Sequence, residues 1–391
     1  MAGKLLMGKK ELARSYVMER VRAGEMTLKA ASVQLRVSYR QVRRIHTRYR
    51  EEGAAGLAHR NQGKRSNNRI AEEIKERAVL AYRQRYEDFG PTFAAEKLCE
   101  HEGIRVSPET LRHWLIAEGV WRRKRRSNPY RSRRDRRECF GQLIQFDGSH
   151  HDWFEGRRGK CCLMNIVDDA TGRSLSALYE QETTEAAMRV LTLWINTYGI
   201  PQAVYCDHKN AFVCNREPSV EEQLAGIEPE SHFEKACGKL GIQVIAANSP
   251  QAKGRVERNH GVYQDRFVKE LRLAGISSIG EANLFLEQTY LPAINAKFSH
   301  PAACSEDAHV PLGDVDLQDI MCFEERRCVS RDFVVSFQRR VFQILPDSRP
   351  LPRPGDKVTV KVRLDKTLEL YFQGKKLCFQ EINKTTKKEV A

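Results

Sequence analysis

No apolar run in these 391 residues approaches the roughly 18 to 20 that a bilayer crossing requires. The first ten residues, Met-Ala-Gly-Lys-Leu-Leu-Met-Gly-Lys-Lys, hold too short an apolar core for a signal peptide, and a cytoplasmic protein is expected. C-x-x-C is absent, and the eleven cysteines are scattered along the chain, which indicates neither a zinc finger nor a disulfide framework. Reduced, mostly buried thiols are expected instead. Acidic residues are in deficit. Against 66 Lys and Arg stand 51 Asp and Glu, a net charge of +15, which favours an anionic macromolecule, nucleic acid first, over a small acidic substrate. At roughly 150 residues per domain the length suggests two to four domains.

Residues 1–52 read as three short helices in a helix-turn-helix pattern. Leu12, Tyr16, Val17 and Val21 form an apolar stripe, Gly24 ends it, and Thr27 caps a second helix. The third helix, from Tyr39 to Glu52, turns Val42, Ile45 and Tyr49 inward and Arg40, Arg43, Arg44 and Arg48 outward, for DNA. A plain solvated bundle is the competing account of those arginines. Residues 53–70 read as a polar linker. Residues 71–120 read as a second, winged-helix-like helix-turn-helix unit, with Ser107 as cap and Pro108 at the first position of its last helix. Ten cations then crowd residues 121–139, among them Arg123, Arg125 and Arg133. Charge at that density has no core-facing side and reads as an extended arm for a polyanion.

From residue 140 the pattern changes to α/β. Apolar runs at 143–146, 161–167, 174–179, 203–206 and 242–246 read as strands, and 184–198 and 233–240 as helices. A further helix carries Val256, Tyr263, Phe267 and Leu271. Three strands, then helix, strand, helix, strand, helix is the order of a ribonuclease-H-like core, here spanning 140–275. A helical connector at 276–319, a small β-barrel at 320–382 and a tail at 383–391 complete a multidomain chain with an all-α N-terminal part.

Three carboxylates stand out in this core. Asp147 and Asp207 each follow an apolar run, at the carboxyl end where ligands meet open α/β sheets. Glu257 falls in the first turns of a basic helix, in Ser249-Pro250-Gln251-Ala252-Lys253-Gly254-Arg255-Val256-Glu257-Arg258. Hard oxygen donors of this kind suit Mg²⁺ or Mn²⁺, and two ions about 3.5 to 4 Å apart would serve in-line displacement at a phosphodiester. Lys253, Arg255 and Arg258 are candidate phosphate contacts. Asp168 and Asp169 read as turn-formers, and His150 and His151 as a loop pair beside Asp147 with no required role.

Asp147 to Arg157, Val167 to Arg173, and Ser249 to Arg258 continuing through Gln264-Asp265-Arg266 resemble the ISNCY family of insertion-sequence transposases, within the retroviral-integrase-like DDE superfamily. The resemblance implies that Asp147, Asp207 and Glu257 are a catalytic triad that binds the metal. It implies nicking at element ends and joining of the 3′-hydroxyl to target DNA, with double-stranded DNA as partner and a homodimer or larger assembly on it. The 50-residue spacing from Asp207 to Glu257 is long, and an acidic insertion at 214–231 accounts for it. No His-His-Cys-Cys module of the retroviral kind is present, which leaves end recognition to the helix-turn-helix units. Two rival readings are a DNA-binding regulator without catalysis and a simple nuclease.

Overall fold

A computed structural model describes residues 7–58, 70–123, 134–226, 228–247 and 254–382. The linker's end, most of the arginine-rich arm including Arg125 and Arg133, the segment 248–253 with Lys253, and the tail lie outside the described residues. Two compact units emerge, one from residues 1–87 and 95–121, the other from 88–94 and 122–391.

The first unit is helical. Its opening helices are α1 (Lys9–Arg22), α2 (Leu28–Gln34) and α3 (Tyr39–Glu52). Thr27 accepts the Ala30 N–H at 3.2 Å and Ser38 that of Gln41 at 3.2 Å, so each cap satisfies a donor the helix start leaves over. Val42, Ile45 and Tyr49 pack with Val17, Met18, Ala31 and Leu57, leaving Arg40, Arg43 and Arg44 exposed and Arg48 half-buried. On α1 the sequence reading misplaced the buried face. Leu12 and Tyr16 are exposed, and Met18 takes the inner position beside Val17. Three more helices follow, α4 (Glu72–Arg85), α5 (Pro91–Glu102) and α6 (Pro108–Ala117), the last capped by Ser107 with Pro108 next.

The second unit is built on a five-stranded mixed sheet: β1 (Ile144–His151), β2 (Cys161–Asp168), β3 (Ser174–Tyr179), β4 (Ala203–Cys206) and β5 (Gln243–Ala246), in the order β3-β2-β1-β4-β5. The first three run antiparallel, whereas β4 runs parallel to β1 and to β5. The intervening helices are α7 (Thr184–Tyr198), α8 (Val220–Ala225) within the acidic insertion, and α9 (His232–Lys239). One face of the sheet, with Ile144, Phe146, Cys162, Met164 and Val204, packs against Ala187, Leu191 and Trp194 of α7 and Phe233 and Cys237 of α9. The other face, with Cys161, Leu163 and Leu178, is covered by α10 (Gly254–Leu273), α11 (Ile279–Phe285), a π turn at Leu286–Tyr290 and α12 (Leu291–Phe298).

β1 is longer than its apolar run implies. It pairs with β2 from Ile144 to His151, so Asp147 is mid-strand in the hairpin, and His150 and His151 are strand residues, not loop residues. The short helix α13 (Leu317–Ile320) leads into the C-terminal strands. These are β6 (Cys322–Cys328), β7 (Val334–Phe337), β8 (Arg340–Ile344), β9 (Lys357–Arg363), β10 (Leu368–Phe372), β11 (Lys375–Lys376) and β12 (Phe379–Ile382). They form a four-stranded sheet, β11-β10-β9-β6, and a three-stranded one, β12-β8-β7. The expected barrel is therefore not closed. Two open sheets share one core of Val335, Phe342, Val358, Val360 and Leu370, so packing side chains between the faces, rather than strand pairing around a ring, shields the apolar surface. All eleven cysteines are free, but only Cys161, Cys162, Cys206, Cys237 and Cys322 are buried, fewer than composition suggested.

Candidate active site

Strand alternation decides which way Asp147 points. Ile144 and Phe146 enter the α7–α9 core, so Gln145, Asp147 and Ser149 face α10. β4 pairs with β1 through Ile144–Val204 and Gln145–Tyr205. The same offset of 60 carries Asp147 to Asp207, the first residue beyond β4. Val204 and Cys206 join the α7–α9 core, and Asp207 follows directly at the carboxyl end of β4. Phe146 and Phe212 hold the two ends together, their rings 5.0 Å apart and edge-on, and Phe212 is fully buried in the loop that follows Asp207.

α10 returns across that face. Val256 donates its backbone N–H to Gln145 Oε1 at 3.2 Å. Asn165, the cross-strand partner of Asp147, donates to Asn259 Oδ1 at 2.8 Å, and Gln264 donates to Ser149 Oγ at 3.1 Å. Val256, His260, Tyr263 and Phe267 are the buried stripe of the helix. Glu257 is exposed in the first turn, between Val256 and Asn259, and on the same side as Gln264 two turns later. The start of α10 thus lies against β1 and β2 on one side of the sheet.

Asp169, read from the sequence as a turn-former, fixes where α10 begins. Its carboxylate is fully buried. It accepts from Gln145 Nε2 at 2.9 Å and from the Arg137 backbone N–H at 2.8 Å, and it pairs with Arg134 and, at 2.9 Å, with Arg255 Nε. Arg255, a candidate phosphate contact, is therefore committed to Asp169. Arg123 and Arg258 are exposed. Asp168 does form the turn, accepting from Gly141, Thr171 N–H and Thr171 Oγ1, and burial pushes its carboxyl pKa up against those bonds.

Sequence reasoning missed Glu182 and Lys209. Lys209 Nζ lies 3.6 Å from Asp147 Oδ1 and 2.8 Å from Glu182 Oε2. The signal available was only a carboxylate before the Thr183 cap of α7 and a lysine two residues after Asp207. A seated ammonium shows that the space beside Asp147 accommodates a compact cation, and the hard oxygens of Asp147 and Asp207 are the donors Mg²⁺ or Mn²⁺ takes. His150, Cys162 and Glu182 also bring ligand atoms within 4.8 Å of one another. There, burial pushes the Cys162 thiol up to about 12, and Glu182 is engaged by Lys209, so this trio suits a hard divalent ion less well.

The winged helix-turn helix family model matches residues 18–76. Over 385 residues the chain is 35% identical to "Putative transposase y4bF" of Sinorhizobium fredii, covering 98% of this chain and 83% of the relative. The chain belongs to this transposase family. A second relative of the transposase, that for insertion sequence IS1202 of Streptococcus pneumoniae, is 29% identical over 370 residues, 85% of this chain and 77% of the other. Among solved structures, the HTLV-2 integrase catalytic core domain in complex with magnesium is 21% identical, with a TM-score of 0.28 over 39% of this transposase and 88% of that chain. No helix among the transposase's described residues is long and apolar enough to cross a membrane.

Proposed function

We propose that this transposase is a metal-dependent DNA nicking and strand-joining enzyme of the retroviral-integrase-like DDE superfamily and of ISNCY type. Asp147, Asp207 and Glu257 are its catalytic carboxylates on a ribonuclease-H-like core. The observation that supports the reading is the parallel pairing of β1 with β4, Ile144 on Val204 and Gln145 on Tyr205, together with the bond from Val256 to Gln145 that holds the start of α10 against β1. Bound there, Mg²⁺ or Mn²⁺, as two ions, would activate the attacking water or 3′-hydroxyl and stabilise the leaving oxygen.

The chain's own residues supply position and charge. Asp147 and Asp207 present oxygen donors from a rigid sheet, and Gln145 and Asp169 hold the start of α10. Arg258, with Lys253, meets the phosphate backbone, while Arg40, Arg43 and Arg44 of α3 and Arg123, Arg125 and Arg133 of the arm bind double-stranded DNA, the element's terminal repeats among it. Pairing two ends calls for a dimer or a larger assembly on DNA.

Asp147→Asn, Asp207→Asn and Glu257→Gln are each expected to abolish Mg²⁺-dependent cleavage of DNA carrying the terminal repeats while leaving end binding intact. Wild-type cleavage by any one variant removes that residue from the site. Joined products in the same assay separate strand transfer from simple nuclease action.

A further inference from the structure

Lys209 sits on the loop anchored by Phe212, with its own carbonyl accepting the N–H groups of Phe212 and Val213 at 2.9 and 3.0 Å. Its ammonium meets Glu182 Oε2 at 2.8 Å and Oε1 at 3.2 Å, and Asp147 Oδ1 at 3.6 Å. The Glu182 side chain is only 7% exposed, and it lies directly over Gly148, where a Cβ would come within 2.7 Å of Glu182 Cδ. A glycine next to Asp147 is what lets that carboxylate approach the strand so closely.

We propose that Lys209 is an internal counter-cation of the carboxylate site, seated by Glu182 against Asp147, and that a divalent ion binds only by displacing it. The inference rests on the reading of Asp147 as a cation ligand. An ammonium is a compact point charge with three donors, matched to two neighbouring carboxylates. Mg²⁺ requires oxygen ligands at about 2.0 to 2.1 Å, and a second cation beside the same Asp147 oxygen is repelled. Once displaced, Lys209 has somewhere to go. It already lines a cleft of about 510 Å³ together with Glu182, Glu180, His150, Lys160 and Gln181, which leaves its charge room to stay hydrated.

Calorimetric titration of Mn²⁺ alone into the full chain, without DNA, tests this. Lys209→Met is expected to bind Mn²⁺ about tenfold more tightly than wild type, a difference of about 1.4 kcal/mol. Lys209→Arg, which keeps the charge, is expected to stay near wild type. Lys209→Gln serves as a second neutral variant should methionine impair folding, monitored by metal-free thermal melts. Neutral variants with wild-type or weaker Mn²⁺ affinity overturn the counter-cation role. Identical isotherms for wild type and Asp147→Asn would overturn the carboxylate reading as well. Lost binding in Asp147→Asn with unchanged affinity in Lys209→Met overturns this inference alone.

Discussion

Gln145 Oε1 accepts the backbone N–H of Val256 at 3.2 Å, while Gln145 Nε2 donates to Asp169 at 2.9 Å. One buried amide thereby joins the strand of Asp147 to the first turn of the helix that bears Glu257. Gln145→Leu keeps a similar size but leaves Val256 N–H and one Asp169 oxygen without this partner, a cost of about 1 to 3 kcal/mol. Because a shift of about 1 Å in a reacting group costs on the order of a hundredfold in rate, cleavage is expected to fall 10- to 100-fold with end binding unchanged. Cleavage at wild-type rate, measured beside a gel-shift assay, would show that α10 is held in register without Gln145.

Exposed arginines on α3 invite a different measurement. Val42, Ile45 and Tyr49 are buried on one side of the helix, and Arg40, Arg43 and Arg44 project from the other. Each arginine that neutralises a phosphate contributes about 0.9 to the slope of log affinity against log salt. Changing all three to alanine is expected to lower that slope by about 2 to 3, read by fluorescence anisotropy on terminal-repeat DNA at several salt concentrations. An unchanged slope would return α3 to a solvated bundle.

The elements legible in the sequence are those where one periodicity dominates. Val42, Ile45 and Tyr49 recur at helical spacing, and Cys161 to Val167 is an apolar run interrupted only by Asn165, in keeping with a β2 buried throughout. The rest depends on partners distant in sequence. β1 continues through Gly-Ser-His-His, polar residues that read as a loop, because β2 supplies a ladder along its whole length. β6, Cys-Phe-Glu-Glu-Arg-Arg-Cys, has little apolar pattern and is a strand because it pairs with β9 from end to end. Asp169 and Arg255 lie 86 residues apart, and Glu182 and Lys209 lie 27 apart. No local pattern announces either pair. The barrel expectation failed for a related reason, since strand count constrains the number of elements but not whether the edges meet.

Acid sensitivity has an identifiable contributor in the second unit. Glu324 of β6 pairs with Lys239 of α9 at 2.7 Å and with Lys361 of β9 at 3.3 Å. Burial works to raise its pKa, but the two lysines outweigh it and bring it below the ordinary 4.5. A carboxylate whose folded pKa lies below its unfolded value contributes stability above the unfolded value, and loses it as pH falls through the folded one. Glu324→Gln is therefore expected to be less stable than wild type near neutral pH and to converge on it below about pH 4. Thermal melts across that range check the sign, and a gap that widens on acidification would contradict it.

Gly148 and Glu182 are coupled by space rather than by charge. A methyl group at Gly148 would stand 2.7 Å from Glu182 Cδ and 2.9 Å from both carboxylate oxygens, whereas one at Gly254 meets nothing within 4 Å. Glu182 is the end of a flexible side chain, so Gly148→Ala is expected to fold, but with an overpacking cost of about 1 to 3 kcal/mol that Gly254→Ala does not share. Removing the obstructing carboxylate should remove most of that cost. In a Glu182→Ala background Gly148→Ala is expected to be nearly neutral, which gives a double-mutant coupling of about 1 kcal/mol or more by denaturant unfolding. Strict additivity would mean that strand β1 accepts a side chain at 148 without disturbing Glu182, and that the glycine beside Asp147 has some cause other than the approach of this carboxylate.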